Sequence, residues 1–250
     1  VCTQENVPYY IVGNGSNLLV SDQGYEGVII QIYKQMNRVE ITENEIHAQA
    51  GALLSMIANR AMEAELTGFE FAAGIPGTLG GACVMNAGAY GGEMKDVLET
   101  VTVLTRDGDV KTLTKDELEL GYRTSVIAKK DYIVLSAVIR LENGKKEEIK
   151  AVMDDLKEKR ITKQPLEYPS AGSTFKRPEG YFAGKLIQDA GLRGFQVGGA
   201  QVSEKHCGFV VNKDQATAAD VMNLMNQVSD KVYEMSGVRL EPEVKRLGVF

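Results

Sequence analysis

Seven of the chain's 26 glycines crowd between Gly74 and Gly92, and that crowding limits the available folds more than any other feature. The run is Gly74-Ile75-Pro76-Gly77-Thr78-Leu79-Gly80-Gly81, continued by Asn86-Ala87-Gly88-Ala89-Tyr90-Gly91-Gly92. Glycine loses more backbone freedom on folding than any other residue, so a purely structural segment would avoid such a concentration. Pro76 stiffens the turn, while Gly77, Gly80 and Gly81 remove side chains just where a helix could begin. The economical reading is a flat, polar ligand lying on exposed backbone; a structural turn is the alternative. A shorter element, Gly13-Asn14-Gly15-Ser16-Asn17, directly follows a strand. Its two glycines permit a tight turn, and its amides, Ser16 and the two asparagines supply donors suited to a pyrophosphate. It is not the dinucleotide fingerprint, because the third glycine is missing and Leu18-Leu19-Val20 continues as strand. Alone, this pentapeptide also reads as an ordinary tight turn.

The remaining composition excludes several classes of partner. A formal net charge of −6 over 250 residues argues against a phosphate backbone or an anionic membrane as the main partner. No apolar run reaches bilayer length, so membrane insertion is not expected. The opening VCTQENVPYY reads as neither signal nor transit peptide. Cys2, Cys83 and Cys207 are too scattered for a disulfide framework, which fits a reducing cytoplasm. With only His47 and His206, and no CxxC or HxxxH spacing, no metal site is expected.

Periodicity places the motifs on an α+β scaffold without regular βαβ rhythm. Strands are expected at 8–12, as a buried strand, and at 27–32 as another; a hairpin spans 39–41 and 45–49 around Glu43-Asn44. A helix runs from Ala52 to about Leu66, and a second hairpin, 101–104 with 110–113, turns at Arg106-Asp107-Gly108-Asp109. A strand from Tyr132 to Leu141 closes this region at Asn143-Gly144. The charged helix 145–160 carries a buried stripe of Ile149, Val152, Met153 and Leu156. A last helix runs from a Thr217 cap to Gly237, with Val221, Leu224, Met225, Val228 and Val232 facing inward.

Three polar clusters could carry chemistry, although each also reads as ordinary surface. Gly121-Tyr122-Arg123-Thr124-Ser125 sits between a helix and a strand. Pro169-Ser170-Ala171-Gly172-Ser173-Thr174-Phe175-Lys176-Arg177-Pro178 joins hydroxyls to two adjacent cations and suits an anionic substrate. Leu240-Glu241-Pro242-Glu243-Val244 is a C-terminal strand whose two glutamates share a face, so spacing does not choose between them. Neither histidine has a nucleophile-elbow context, and His206-Cys207, as strand neighbours, point to opposite faces.

In this order the elements resemble one family closely, the UDP-N-acetylenolpyruvoylglucosamine reductases (MurB). The matching pieces are GNGSNLLV at 13–20, GIPGTLGG at 74–81, NAGAYGGE at 86–93, YRTS at 122–125, AGSTFKRP at 171–178, GKLI at 184–187 and LEPEV at 240–244. FKRP and the lack of an inserted tyrosine-bearing loop resemble the family's shorter second type. The resemblance implies an FAD-binding fold of the vanillyl-alcohol-oxidase (PCMH) type in two subdomains, plus a smaller α+β substrate domain. The implied boundaries are 1–32 for a partial first FAD subdomain, 33–144 for the second, 145–238 for the substrate domain, and 239–250 for a returning C-terminal strand.

It further implies hydride transfer from NADPH to flavin N5 and on to the enolpyruvyl ether of UDP-N-acetylglucosamine enolpyruvate, giving UDP-N-acetylmuramate for peptidoglycan. Gly13, Asn14, Gly15, Ser16, Asn17, Leu18, Gly74, Ile75, Pro76, Gly77, Gly80, Gly81, Asn86, Gly88 and Ile133 are the implied cofactor contacts. Arg123 and Glu243 are implied to stabilise the enolate-like charge, Glu243 as a neutral acid, with Ser173 protonating the α-carbon. Lys176 or a bound water would support that serine. Tyr122, Lys176, Arg177, Lys185 and Gln201 are the implied substrate contacts, and the protein is expected to be a monomer. Family members normally begin with a further stretch bearing a histidine-threonine-threonine-phenylalanine motif; without it, FAD binding should weaken and the first sheet keep a bare edge. Two other readings are another FAD oxidoreductase of the same fold and a non-catalytic nucleotide-sugar binding protein without flavin.

Overall fold

The computed structural model describes residues 1–250. Contacts divide the chain into two units, Val1–Gly15 with Val28–Arg160, and Ser16–Gly27 with Ile161–Phe250.

The first unit is built on a five-stranded antiparallel sheet ordered Val110–Thr114, Leu98–Leu104, Ile133–Arg140, Glu45–Gln49 and Val39–Thr42. Alternating burial along the strands sends Ile46, Ala48, Val101, Val103, Ala137 and Ile139 to one face. The helix Leu54–Glu63 supplies Leu54, Ile57, Ala58 and Ala61 to the same core, and the helix Leu79–Met85 supplies Leu79, Ala82 and Cys83. The first of these stops earlier than its periodicity predicts. Glu65 adopts a left-handed φ of 56°, and Leu66–Thr67 is drawn off to pair with Glu142–Asn143.

Two expectations of burial are corrected. Tyr9–Val12 pairs in parallel with Val28–Gln31, but the first strand is only half-buried and Val28, Ile29 and Ile30 are 40–46% exposed. The charged helix, Lys146–Lys163, buries only Ile149, and Val152 lies in solvent. Its polar faces are satisfied locally by pairs such as Lys150–Asp154 and Lys159–Asp155, so it needs no broad apolar stripe.

In the second unit a four-stranded antiparallel sheet runs Ser170–Ser173, Phe209–Asn212, Ala200–Val202, Gln196–Val197. The helix Ala218–Ser236 covers it through Leu224, Met225, Val228 and Val232. A capping box of Thr217 and Asp220 starts this helix, and Gly237, at φ 71°, ends it. The segment Ser16–Gly27 belongs here for two reasons. Leu18–Val20 pairs in parallel with Lys245–Leu247, and the Asp22 carboxylate accepts from the amides of Ala218 (2.6 Å) and Ala219 (3.0 Å). These contacts divide the chain elsewhere than the expected boundaries after residues 32, 144 and 238. No helix is long and apolar enough to cross a membrane.

Candidate active site

In the first unit the two glycine elements meet. Asn14 Nδ2 donates to the Pro76 carbonyl at 3.0 Å, and a Cβ on Gly13 would drive into Thr78 Oγ1. Gly15 holds φ 69°, a left-handed turn that suits glycine. The main-chain amides of Gly13, Asn14 and Gly15 donate to no group of the chain. Gly81 is exposed, and a Cβ there would find only Thr78 Oγ1, at 3.8 Å. Other glycines have a different reason. A Cβ on Gly80 would lie 3.1 Å from that of Ala50, and one on Gly88 would lie 2.6 Å from the Gly92 carbonyl oxygen. Close packing therefore accounts for part of the glycine excess, and open polar backbone for the rest.

The Tyr122-Arg123 turn hangs from the end of the helix Leu79–Met85. Ser125, fully buried, donates from Oγ to the Val84 carbonyl at 2.6 Å and caps the short helix Val126–Lys129, which follows the turn instead of preceding it. Gly121 and Thr124 bridge across it, and Arg123 sits at φ 55°. A left-handed arginine stores strain of the kind that concentrates at functional positions. Its guanidinium lies 5.2 Å from the Tyr122 ring centre and donates to the Gly88 carbonyl at 3.5 Å.

Asn86 is corrected. It ends the helix in left-handed geometry, and its side chain is fully engaged within the unit. Nδ2 donates to Glu93 (2.8 Å) and to the Gly121 carbonyl (3.0 Å), while Oδ1 accepts from Lys95 N (2.8 Å). It anchors the loop and has no amide proton left for a cofactor. Ile133 opens its strand opposite Leu104 and is half-buried.

In the second unit, Ser173 is presented by a break in strand register. Ser170 pairs with Val211 and Ser173 with Phe209, and Gly172, at φ 81°, absorbs the extra residue between them. Such bulges re-aim a side chain, and Ser173 stands exposed. The next residue, Thr174, is buried and fixes what lies alongside. Its hydroxyl accepts from Val210 N at 2.8 Å, and its carbonyl accepts from Glu243 N at 2.9 Å. Asn17 Nδ2 donates to the Glu243 carbonyl at 3.2 Å, so Glu243 is clamped beside the Ser173 strand from both sides.

The two glutamates differ in environment. Only Pro242, bridged to Phe175, is sheet-like there, and the final strand is Lys245–Leu247. Glu243 is 9% exposed, whereas Glu241 lies in solvent and pairs with Lys176 at 3.1 Å. That pairing also occupies the lysine proposed to support Ser173. Arg177 donates to the Tyr181 carbonyl and stacks 4.0 Å from the Phe182 ring centre. Lys185 pairs with Asp189 on an exposed helix face. Gln201 bonds Gln196 and lines a separate cavity of about 330 Å3 with Tyr168, Lys205 and Lys213. No hydrogen bond or ion pair links Lys185 or Gln201 to Ser173 or Glu243. His206-Cys207 is corrected too: both lie in a turn before the strand Phe209–Asn212. His206 Nδ1 accepts from Gly208 N, and burial lowers the imidazole pKa while raising that of the thiol, the reverse of a thiolate pair.

The family described as FAD binding domain matches residues 1–114, and that described as UDP-N-acetylenolpyruvoylglucosamine reductase, C-terminal domain, matches residues 164–247. The UDP-N-acetylenolpyruvoylglucosamine reductase of Agathobacter rectalis is 59% identical, across 98% of this chain and 82% of that protein. The chain belongs to this family. The enzyme of that name from Clostridioides difficile is 55% identical, across 98% of this chain and 81% of its own length. The crystal structure of UDP-N-acetylenolpyruvylglucosamine reductase (MurB) from Thermus caldophilus superposes with a TM-score of 0.84 at 37% identity, covering 96% of this chain and 86% of that one. The fold is the family's FAD-binding fold with its C-terminal domain.

The residues present fit an FAD. Free amides at 13–15 and the open face at Gly81 are the donor set and the space such a group requires. Thr78 was overlooked at the level of sequence. It is the one polar side chain within GIPGTLGG, it is 2% exposed, and it packs on Gly13 while flanking Gly81. A buried polar residue set among glycines was the available signal. A Gly81→Ala variant separates folding from ligand space. Urea unfolding should show it more stable by about 0.5–1 kcal/mol, the helical preference of alanine over glycine. FAD affinity should fall about tenfold, the effect of overpacking by roughly 1–3 kcal/mol. Unchanged affinity would place FAD away from this face.

Proposed function

We propose that Arg123, Ser173 and Glu243 carry the reduction of UDP-N-acetylglucosamine enolpyruvate to UDP-N-acetylmuramate, a peptidoglycan precursor. The chain is a flavin-dependent oxidoreductase of its family, with NADPH as hydride donor. When bound, FAD supplies the hydride that adds to the β-carbon of the enolpyruvyl ether. The backbone at 13–15 and 74–81 holds the cofactor, and Arg123, Glu243 and Ser173 handle the charge and the proton.

Addition at the β-carbon drives electrons toward the carboxylate and makes it enolate-like. Arg123, held in a strained turn, stabilises that charge as a fixed cation. Glu243 does so as a neutral acid that donates a hydrogen bond. Ser173 Oγ gives its proton to the α-carbon, and the resulting alkoxide is reprotonated by water, to which its exposed position gives access. Lys176, Arg177 and Tyr122 are the substrate contacts we favour; Lys185 and Gln201 lie apart from Ser173 in their hydrogen bonding. We read the protein as a cytoplasmic monomer, the compartment being supported by its three unpaired cysteines.

The observation that carries this reading is the Glu243 amide on the Thr174 carbonyl, which sets a buried carboxyl beside an exposed serine. An anaerobic visible spectrum tests it. NADPH should bleach the FAD band, and only UDP-N-acetylglucosamine enolpyruvate should restore it. Bleaching without recovery would remove this substrate while leaving a flavin reductase.

A further inference from the structure

Of the cations of the helix Lys146–Lys163, Lys146 pairs with Glu63, Lys150 with Asp154 and Lys159 with Asp155, while Lys157 and Lys163 stand exposed to solvent. Arg160 is different. It is half-buried, and no carboxylate, carbonyl or hydroxyl of the chain accepts from its guanidinium. Its side chain lies along Gly74, where a Cβ would come 3.3 Å from Cδ and 3.5 Å from Nη1. The nearest titratable influence on it is Tyr90, and burial pulls its pKa down. A desolvated cation without a partner costs free energy that nothing in the chain returns. The first glycine of the 74–81 run thus has a reason of its own, since any side chain there would crowd the arginine stem.

Arg160 carries one positive charge, and the reaction introduces one negative charge. Uptake of a hydride adds two electrons and one proton, hence one net negative charge, whereas the FAD pyrophosphate carries the same charge throughout. We propose that Arg160 is a positioning residue whose guanidinium, seated over Gly74, favours FAD in its reduced, anionic form over the oxidised form. This rests on the reading of 74–81 as the cofactor loop.

The test uses the FAD-loaded chain, with Arg160→Gln and Arg160→Lys. Dye-equilibrated titration gives the FAD midpoint potential, and fluorescence quenching gives the affinity for oxidised FAD. Arg160→Gln should weaken binding of reduced relative to oxidised FAD about tenfold, which lowers the two-electron potential by about 30 mV. Oxidised FAD should bind as before, and Arg160→Lys should recover most of the shift. An unchanged potential in Arg160→Gln would overturn the proposal. So would equal weakening of both redox forms, which would make Arg160 a phosphate clamp. If the glutamine variant does not fold, Arg160→Met takes its place: it keeps the apolar stem and removes the charge, it should lower the potential by about the same amount, and no change would overturn the proposal. Failure of the unmodified chain to bind FAD at all would overturn the cofactor reading together with this inference.

Discussion

Ser173→Ala is expected to bleach normally with NADPH yet reduce UDP-N-acetylglucosamine enolpyruvate about 10²–10⁴-fold more slowly, the usual contribution of a positioned general acid. The split follows from where the hydroxyl stands. Ser173 is exposed at the end of a bulged strand, and its replacement removes no packing and breaks no hydrogen bond of the fold. Thr174, which holds the neighbouring segment, is untouched. Single-turnover absorbance at the flavin band reads both half-reactions in one experiment. A variant that reoxidises at the normal rate would show that the proton comes from elsewhere. Thr174 would not be the substitute donor, because its hydroxyl is buried away from substrate.

Glu243→Gln should slow the same half-reaction about 10²–10³-fold, as loss of one preorganised group at a developing charge does, while Glu241→Gln should stay within a few-fold of normal. Both changes keep the shape of the side chain and remove the acid. The contrast arises from environment: Glu243 is 9% exposed beside Thr174, whereas Glu241 stands in water and pairs with Lys176. Exposed ion pairs contribute little, so the second variant should also unfold at nearly the same urea concentration. A reversal of the two effects would move the acid by two residues and out of the protein interior.

Local chemistry was legible wherever the decisive contacts are close in sequence. The hairpin around Glu43-Asn44 and the capped helix Ala218–Ser236 lie where their patterns place them. What eluded sequence reasoning depends on distant partners. Val28-Ile29-Ile30 has the pattern of a buried strand, yet burial depends on what covers it. Gly80, Gly88 and Gly74 look like equivalent openings for a ligand; the first two are pressed against Ala50 and Gly92, and the third makes way for Arg160. Spacing makes Glu241 and Glu243 equivalent, and what separates them is cover from the rest of the unit, which buries Glu243 and leaves Glu241 in solvent. Asn86 advertised a ligand contact through its glycine-rich setting, but three bonds to distant groups occupy it.

The attachment of Ser16–Gly27 to the far end of the chain also has a kinetic consequence. Asn17 bonds Glu243 across 226 positions, and Ser21 Oγ donates to the Val249 carbonyl across 228. Emerging from the ribosome, residues 16–27 wait unpaired until Lys245–Leu247, their parallel strand partner, has been made. The contact to be closed spans 226 positions, and such high-separation pairing slows folding. During that interval a short apolar strand, Leu18-Leu19-Val20, is open to capture by other nascent chains, and synthesis of Lys245–Leu247 is what ends its exposure.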